Sequence, residues 1–586
     1  MFDSAAKTIR TFHLVVIAAS TFFIFSCSTV KNYQANKPFV YETNITLNGK
    51  FNTDQRKQLA DQLNQQLDDS IHIEKQQKLI FWKTLKSPPV YDSINAEKSK
   101  ISMHALLNSL GYYRDSISYS IRIDTIEDQY RTTVNFYVFP RILIKLDSIR
   151  YNIKNDTLEK ITLESLNKSV IKKGDPFAKP QISLEFDRLS DVYRNNGYLR
   201  FSKEDLLALW DTVGLNLLRP TFDPIEQAQL LQALQQRKLN PTADIDVVLK
   251  PNTDSARLTR YYIGNVSIYT DYNADTAFYT LKHHRVGEYN FLYYQNKFKP
   301  KKFTDFIYLH KGDLYSQINY IKTQYKFNSL GAWKLVNINQ LPRTGEDTAD
   351  FEIRLTPAKK HSITANLEAS RNQGNVGIIG QGNLLGVGAT LRILNRNFAK
   401  ESDQATTNFR YGTELDASTG SIFVQTKQFT ASHTIEFPRV VPKYIVPSKF
   451  RENTRTLFSL NGGITDRINY YNISSFATSL TYEFNWANKL LTIRIPNIEY
   501  NLLTRRDSLN ALINRIKSYK YIFNDGLILS TIINWKIAGV KNKTTSLAQF
   551  NFESSGFFIG LLNSPLLDNN LYRFVKLDAE YTRTHK

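Results

Sequence analysis

The order of apolar and polar residues divides this 586-residue chain into two parts with different periodicity. In the first part, apolar residues recur every three or four positions in several segments. Ile182, Phe186 and Leu189, for example, fall on one face of an α-helix. From His361 onward, apolar and polar residues tend to alternate, which is typical of half-buried β-strands. The sequence therefore predicts mixed α and β structure followed by an all-β region.

A helix–glycine–aromatic pattern occurs three times in the first part. Gly111, Gly197 and Gly331 each end a segment with helical periodicity, in the stretches "LGYY", "NGYL" and "LGAW". Glycine suits this place because helices often end on a left-handed residue. An aromatic residue lies at similar spacing upstream of each glycine, twice after a "KGD" step. The motif residues are Tyr91, Gly111, Tyr112, Gly174, Phe177, Gly197, Tyr198, Gly312, Tyr315 and Gly331.

Each repeat predicts one α+β domain, in which two helices pack on one face of a three-stranded sheet. The predicted domains are 39–140, 141–252 and 258–358. The second domain carries an additional segment, 202–242, in which both "LLALWDTVG" and "PIEQAQLLQALQQRKLNP" are predicted to be helical. Further helices are predicted at 52–67 and 157–170, where Asn or Thr near Asp or Glu indicates helix starts.

The second part, 361–586, contains about ten alternating runs separated by Gly, Asn, Asp and Ser. The length of each run is close to the roughly 9–11 residues that a tilted transmembrane strand needs. One helical insert is predicted at 507–519. A membrane β-barrel is the favoured interpretation, and a soluble β-sandwich or β-solenoid is the alternative.

The N-terminus has the features of a secretion signal. Lys7 and Arg10 precede an apolar run, 14–25, which is too short for a membrane-spanning helix. Ser26 and Cys27, the only cysteine, follow it and resemble the bacterial lipobox. The resemblance implies a signal peptide at 1–26, cleavage between Ser26 and Cys27, and diacylglycerol and N-acyl lipid on Cys27. A flexible tether is expected at 27–38, and a plain signal peptide with a chance cysteine is the alternative.

The composition narrows the function classes. The net charge of +21 suits a surface that meets anionic lipid or acidic partners. No motif for nucleic-acid binding accompanies this charge, so nucleic acid is not an expected partner. No nucleophile elbow, phosphate-binding loop or zinc-protease motif is present in the sequence. We therefore expect neither an enzyme nor a cofactor other than the covalent lipid.

The repeats resemble POTRA domains, the periplasmic modules of outer-membrane assembly factors of the BamA/TamA type. The resemblance rests on "KGDPF" and "KGDLY" before the second helix of a repeat and on the glycine–aromatic step after it. The first repeat departs from the pattern, with "SPPVY" in place of the Gly-Asp step. Together with the lipobox, three such domains are most similar to TamL, the lipoprotein form of this family in Bacteroidota. The implied fold is three βααββ domains followed by an antiparallel transmembrane barrel.

The resemblance also implies a function. POTRA domains in the periplasm of a Gram-negative, Bacteroidota-like cell would capture unfolded outer-membrane clients by β-augmentation. The barrel seam would then template their insertion or translocation. The implied partners are unfolded clients, outer-membrane lipid and a TamB-like periplasmic protein anchored in the inner membrane. A two-partner-secretion transporter and a passive outer-membrane channel are the alternatives.

One departure from the family concerns barrel size. The family barrel has about sixteen strands, whereas 361–586 has room for about ten. The family's "V/I-R-G-F/Y" loop motif is also absent from the sequence. We therefore expect a fragment that lacks C-terminal strands, with a smaller complete barrel as the alternative.

Overall fold

The computed structural model describes residues 28–73, 76–79, 82–212, 223–273, 281–375, 381–416, 423–541, 544–556 and 570–585. The predicted signal peptide, with Ser26 and Cys27, lies outside the described residues. The chain forms two compact units, Met1–Thr259 and Arg260–Lys586. The first unit contains two α/β domains, and the second contains a third α/β domain and a ten-stranded antiparallel sheet. The predicted fold class, α/β domains followed by an antiparallel sheet, is confirmed.

The first α/β domain is a three-stranded sheet covered by two helices. Its elements, with those of a second small sheet, are β1 (Ser28–Lys31), β2 (Phe39–Leu47), α1 (Thr53–Asn64), β3 (Gln76–Leu79), β4 (Trp82–Lys86), α2 (Ser93–Ser109), β5 (Ser116–Ile126) and β6 (Gln129–Phe139). The main sheet has the order β2-β6-β5, with β2 parallel to β6. Leu63 of α1, Leu107 of α2 and Phe136 of β6 are fully buried in the shared core.

The start of the expected tether is a strand. β1 pairs in parallel with β4, and β3 completes this small sheet. The prediction of a flexible segment throughout 27–38 is therefore wrong for Ser28–Lys31. The polar composition of this segment gave no sign of strand pairing. Its partner strand lies roughly fifty residues further along the chain, and β-pairing depends on such distant partners.

The second domain has the same arrangement with one additional helix. Its elements are β7 (Lys145–Asn152), α3 (Asp156–Glu164), α4 (Lys179–Arg194), β8 (Leu206–Asp211), α5 (Pro224–Leu239) and β9 (Thr242–Leu249), with 3-10 turns at Leu166–Lys168, Lys203–Asp205 and Ser255–Arg257. The prediction that "LLALWDTVG" is helical is wrong, because Leu206–Asp211 pairs antiparallel with Thr242–Leu249 in the order β7-β9-β8. The described part of the insert therefore contains one α-helix, α5, between two strands that are neighbours in the sheet.

The third domain differs from the first two in its sheet. Its elements are β10 (Tyr262–Tyr269), β11 (Lys282–Val286), β12 (Tyr289–Tyr293), α6 (Gln317–Ser329), β13 (Trp333–Pro342) and β14 (Thr348–Pro357), with 3-10 turns at Pro300–Lys302 and Thr304–Phe306. The five strands have the order β11-β12-β10-β14-β13. In the described part of this domain, the hairpin β11–β12 and the two short turns occupy the place for which the sequence predicts a first helix.

The second part of the chain is a meander in which each strand pairs with the next. Its elements are β15 (His361–Asn375), β16 (Gln381–Phe398), β17 (Asp403–Asp416), β18 (Phe423–Phe437), β19 (Thr454–Arg467), β20 (Tyr471–Trp486), β21 (Lys489–Arg505), α7 (Asp507–Arg515), α8 (Tyr519–Ile522), β22 (Gly526–Lys541), β23 (Thr544–Ser555) and β24 (Phe574–His585), with 3-10 turns at Lys443–Ile445 and Ser448–Phe450. The ten strands and the helical insert agree with the prediction. At 12 to 18 residues, the strands are longer than predicted.

Candidate functional site

The three helix-ending glycines of the motif share an unusual backbone conformation. The φ angles of Gly111, Gly197 and Gly331 are +97°, +99° and +67°, in the left-handed region that favours glycine. Each glycine lies just after the end of a helix, α2, α4 or α6. The aromatic residues that follow turn inward: Tyr198 is buried, and Trp333, two residues after Gly331, donates its indole N–H to Thr270 O at 2.9 Å.

The upstream aromatic residues are held by backbone hydrogen bonds to the residue just before the first strand of their domain. In the second domain, Gly174 N donates to Leu146 O at 2.8 Å and Phe177 N donates to Ile144 O at 2.9 Å. In the third domain the matching pairs are Gly312 N to Ile263 O at 2.8 Å and Tyr315 N to Tyr261 O at 2.9 Å. The Gly-Asp-x-aromatic step therefore pairs, like a short strand, with the beginning of the domain's first strand. We call this pair of backbone hydrogen bonds the clamp.

The first domain forms the same clamp without the Gly-Asp step. Tyr91 N donates to Pro38 O at 2.8 Å, and Val40 N donates to Pro89 O at 3.0 Å. A single β-bridge occurs at this place in all three domains: Phe39 with Val90, Lys145 with Pro176, and Tyr262 with Leu314. The stretch "SPPVY" thus has the same position as "KGDPF" and "KGDLY" despite the different sequence.

The clamp of the second domain also forms its junction with the first. Ile144 N donates to Gly111 O at 3.1 Å. A Cβ on Gly111 would lie 2.8 Å from Phe177 O, so any side chain here would collide with backbone. The rings of Tyr113 and Phe177 stack at 5.6 Å between centroids and 27° between planes. The helix-ending glycine of one domain is therefore packed directly on the aromatic motif of the next.

Each α/β domain leaves two strands at the edges of its sheet. The edges are β2 and β5 in the first domain, β7 and β8 in the second, and β11 and β13 in the third. Several edge strands carry exposed apolar side chains: Ile123 on β5 is 51% exposed, Leu209 on β8 is 51% and Leu335 on β13 is 59%. Edge strands of this kind are ready to pair with another extended chain.

The ten-stranded sheet has one apolar face, which runs across all the strands. The cross-strand register places a ladder of apolar residues and glycine on this face: Ala365, Leu391, Phe409, Ala431, Gly462, Phe476, Tyr500 and Leu527. A second ladder on the same face contains Phe484, Leu491, Trp535, Phe550 and Ala579. Large side chains on this face are exposed, with Leu367 at 89% and Tyr581 at 66%.

The opposite face of the ten-stranded sheet is polar. Arg392, Asn408, Ser432 and Asn461 are neighbours across four strands. Arg410 and Glu368 form an ion pair at 3.1 Å. On the last two strands, Glu553 is opposite Lys576. Apolar and polar residues are therefore separated by the alternation of side chains along each strand.

The third domain contacts one end of this sheet through ion pairs. Glu401, in the turn between β16 and β17, binds Lys299 at 2.9 Å and Lys302 at 3.2 Å. Burial opposes ionisation of Glu401, but the hydrogen bonds from both lysines outweigh it, and the pKa of Glu401 is lowered. Lys443, in the connection from β18 to β19, pairs with Asp305. The sequence gave no signal for these contacts, because the partners are about a hundred residues or more apart and only the tertiary fold brings them together.

Among the described residues, no helix is both long and apolar enough to cross a membrane. No group of three or more His, Cys, Asp or Glu side chains in the described ranges is placed to hold a metal ion. The candidate functional features of the described residues are the edges of the three α/β sheets, the two faces of the ten-stranded sheet, and the junction of that sheet with the third α/β domain.

The solved structures that match this chain include two of BamA and one of CdiB. POTRA domains 3–5 of BamA from Haemophilus influenzae match with 13% identity over 55% of this chain and 97% of that one, at a TM-score of 0.27. BamA from Haemophilus ducreyi, lacking POTRA domains 1–3, matches with 10% identity over 75% of this chain and 93% of that one, at a TM-score of 0.29.

CdiB from Escherichia coli matches with 10% identity over 70% of this chain and 68% of that one, at a TM-score of 0.26. No model of a protein family matches the sequence, and no curated protein does. Identities and scores this low leave the function to be argued from the residues of the chain itself.

Proposed function

We propose that this chain acts in the bacterial outer membrane as a factor that assembles or translocates other outer-membrane proteins, as in the BamA/TamA superfamily. The observation that carries the proposal is the apolar face that continues across all ten strands, with polar residues on the reverse. Strands can span hydrocarbon only when their backbone groups are paired with neighbouring strands. The strands, at 12 to 18 residues, are longer than the roughly 9–11 residues that a strand needs to cross the hydrocarbon layer. The sheet would then be the membrane-embedded part of a barrel.

In this proposal the three α/β domains are POTRA domains in the periplasm, where they bind unfolded clients. The exposed apolar residues on β5, β8 and β13 lie on strands that have one edge without a partner strand among the described residues. A client segment could pair with such an edge through its backbone, with affinity that depends little on client sequence. No nucleotide or metal is required, because burial of apolar client surface in the bilayer is itself favourable.

The lipid anchor is part of the same proposal. Cleavage before Cys27 would place a diacylated and N-acylated cysteine directly before β1, which is paired with β4. The lipid would therefore hold the first α/β domain close to a membrane leaflet, as expected of a TamL-like lipoprotein that works with a TamB-like partner. Palmitate should label the wild-type chain and not Cys27→Ala. Equal labelling of the two would contradict lipidation.

Client capture can be tested by site-specific photo-crosslinking in the full chain. A photoreactive residue at Leu209 on the β8 edge should crosslink to an unfolded outer-membrane client. A matched control is Leu184 on α4 of the same domain, which has nearly the same exposure, 49% against 51%. Equal crosslinking at the two positions would mean that exposed apolar surface alone is responsible, and would contradict edge pairing.

A folding assay separates assembly from transport or passive conduction. The chain in lipid vesicles should speed the insertion of a second, unfolded outer-membrane protein relative to empty vesicles. A passive channel or a dedicated secretion transporter would conduct ions or export its own substrate without this acceleration. An unchanged insertion rate would therefore refute the assembly function.

A further inference from the structure

A cavity lined by cationic side chains lies between the third α/β domain and the connection from β18 to β19. Its volume is about 270 Å³. The space exceeds that of several water molecules at about 30 Å³ each, so it admits a phosphate group. The charged residues that line it are Asp305, Lys326, Arg439, Lys443, Arg451 and Glu452.

Two of the four cations are neutralised by neighbouring carboxylates. Arg439 binds Asp403 and Glu401, each at 2.6 Å. Lys443 pairs with Asp305, so the Asp305 carboxylate already has a cationic partner. These two cations shape the wall of the cavity but bring little uncompensated charge to it.

The other two cations bind only backbone carbonyls within the described part of the chain. Lys326 Nζ donates to Glu452 O, and Arg451 Nε donates to Val446 O at 2.6 Å. The Glu452 carboxylate is paired with Lys322 at 2.8 Å instead. Lys326 and Arg451 therefore bring two positive charges to the cavity without a carboxylate partner.

The surroundings of Lys326 disfavour its charge. Burial lowers the pKa of Lys326, and the nearby charge of Glu452 offsets this effect only in part. An ammonium group that has lost hydration is stabilised when an anion takes the place of water. The cavity therefore has both the space and the electrostatic reason to hold an anion.

Apolar side chains next to the cavity point to a lipid source for this anion. Tyr444 is 84% exposed and Ile445 is 51% exposed, both in the 3-10 turn that follows the cavity-lining Arg439 and Val440. Phe450, in the next turn, lies 6.4 Å from the ring of Trp486 at the end of β20. Aromatic residues beside cations at the ends of transmembrane strands are typical of the headgroup region of a bilayer.

We propose that this cavity binds the phosphate of a lipid headgroup, with Lys326 and Arg451 as its cationic partners. The inference rests on the proposed membrane location of the ten-stranded sheet. A bound lipid would bridge the third α/β domain and the β18–β19 connection at the membrane surface. It would thereby add to the ion pairs that already join the two.

The test is lipid retention by the full chain, measured by native mass spectrometry after extraction from vesicles. Wild type should retain one more phosphatidylglycerol molecule than Lys326→Gln/Arg451→Gln. It should show no such excess of a phosphate-free galactolipid. Arg396→Gln is the matched control, because Arg396 lies at the same end of the sheet and binds Lys359 O at 3.2 Å outside the cavity. Equal phosphatidylglycerol retention by all three chains would overturn the proposal.

Two further measurements distinguish a failure of the proposed lipid site from a failure of the proposed function. Inorganic phosphate that binds wild type in a manner dependent on Lys326 and Arg451, with no lipid retained, would identify a free anion and overturn the lipid assignment. Flotation with vesicles and heat-dependent gel mobility report whether each chain has inserted and folded. A wild-type chain that does not insert contradicts the proposed function, whereas inserted chains with equal retention contradict only the lipid site.

Discussion

The guanidinium group of Arg439 binds the carboxylate of Asp403 through two hydrogen bonds, from Nη1 to Oδ1 at 2.6 Å and from Nη2 to Oδ2 at 3.1 Å. Nη2 also donates to Glu401 Oε2 at 2.6 Å. Because Glu401 binds Lys299 and Lys302, a continuous set of ion pairs joins the sheet to the third α/β domain. The Arg439 side chain is only 11% exposed and that of Asp403 only 2%, so solvent screens this contact weakly.

Replacement of Arg439 should loosen this junction. Arg439→Gln leaves two carboxylates without their shared cation, and breaking a buried pair in this way costs about 3–5 kcal/mol. The backbone N–H of Lys299 donates to Lys400 O at 2.9 Å across the junction and is a local reporter. Its hydrogen exchange should accelerate by a factor on the order of a hundred or more.

The control for this prediction is Arg122→Gln. Arg122 also pairs with an aspartate, Asp124, but its side chain is 74% exposed, and an exposed pair contributes at most about 1 kcal/mol. Exchange at Lys299 should be unaffected by this change. The same exchange rate at Lys299 in both variants would show that the Arg439 ion pairs do not hold the junction.

Alanine substitutions at two glycines with the same backbone conformation distinguish the cost of backbone strain from the cost of a steric collision. Gly111 and Gly174 have φ angles of +97° and +91°, so alanine at either position costs about 1–2 kcal/mol of backbone strain. A Cβ at Gly174 meets nothing within 4 Å, whereas at Gly111 it lies 2.8 Å from Phe177 O. Gly111→Ala should therefore destabilise the first unit by about 1–3 kcal/mol more than Gly174→Ala, a range typical of overpacking.

Urea unfolding of the full chain, followed through near-ultraviolet signals of the aromatic residues, measures this difference. Gly111→Ala should also speed exchange at Ile144, whose N–H donates to Gly111 O at 3.1 Å. Equal destabilisation by the two substitutions would mean that the two domains do not pack through Gly111.

A buried glutamate makes the second domain sensitive to acid. Glu185 accepts hydrogen bonds from Tyr151 OH at 2.7 Å and Val170 N at 2.8 Å, and pairs with Arg188 at 2.6 Å. Burial raises the pKa of Glu185, but the hydrogen bonds from Arg188 and Val170 outweigh burial, and the net pKa is lowered. A lowered folded-state pKa contributes stability above the unfolded value of about 4.3, and this stability is lost as pH falls through the folded value.

Protection of the Val170 amide against exchange, corrected for its intrinsic rate, should therefore be constant from neutral pH to about pH 5 and fall below about 4.3. Glu185→Gln should lose about 3–5 kcal/mol already at neutral pH, because Arg188 is left buried without its partner. It should also lack the acid-dependent step. A step of the same size in the variant would assign the acid sensitivity to another group.

The helix–glycine–aromatic repeats could be predicted from the sequence because their cause is local. A helix that ends on a residue of left-handed backbone conformation favours glycine there, whatever lies elsewhere in the chain. Gly111, Gly197 and Gly331 occupy such positions. The ten strands could be predicted for the same reason, because alternation is visible within each run. Their extra length was not predicted, since pairing with a neighbour extends a strand beyond the alternating residues.

The errors lie where distant contacts decide the structure. The segment Leu206–Asp211 is apolar enough for a helix or a strand, and only its pairing with Thr242–Leu249 selects the strand. The hairpin in the third domain did have a local signal, because Gly287 and Glu288 form a two-residue turn and the strand that follows it, Tyr289–Tyr293, is rich in aromatic and aliphatic residues. The partners of Arg439 left no pattern in the sequence at all.

The central claim is that one face of the ten-stranded sheet lies in hydrocarbon, and neighbouring residues on β23 test it directly. Phe550 is on the apolar face opposite Ala579, and Gln549 is on the polar face opposite Glu580. Spin labels on Phe550→Cys and Gln549→Cys, in a Cys27→Ser background, can be probed in vesicles with oxygen and a water-soluble nickel complex. The label at 550 should collide mainly with oxygen and the label at 549 with nickel. Equal access of the nickel complex to both labels would contradict the account.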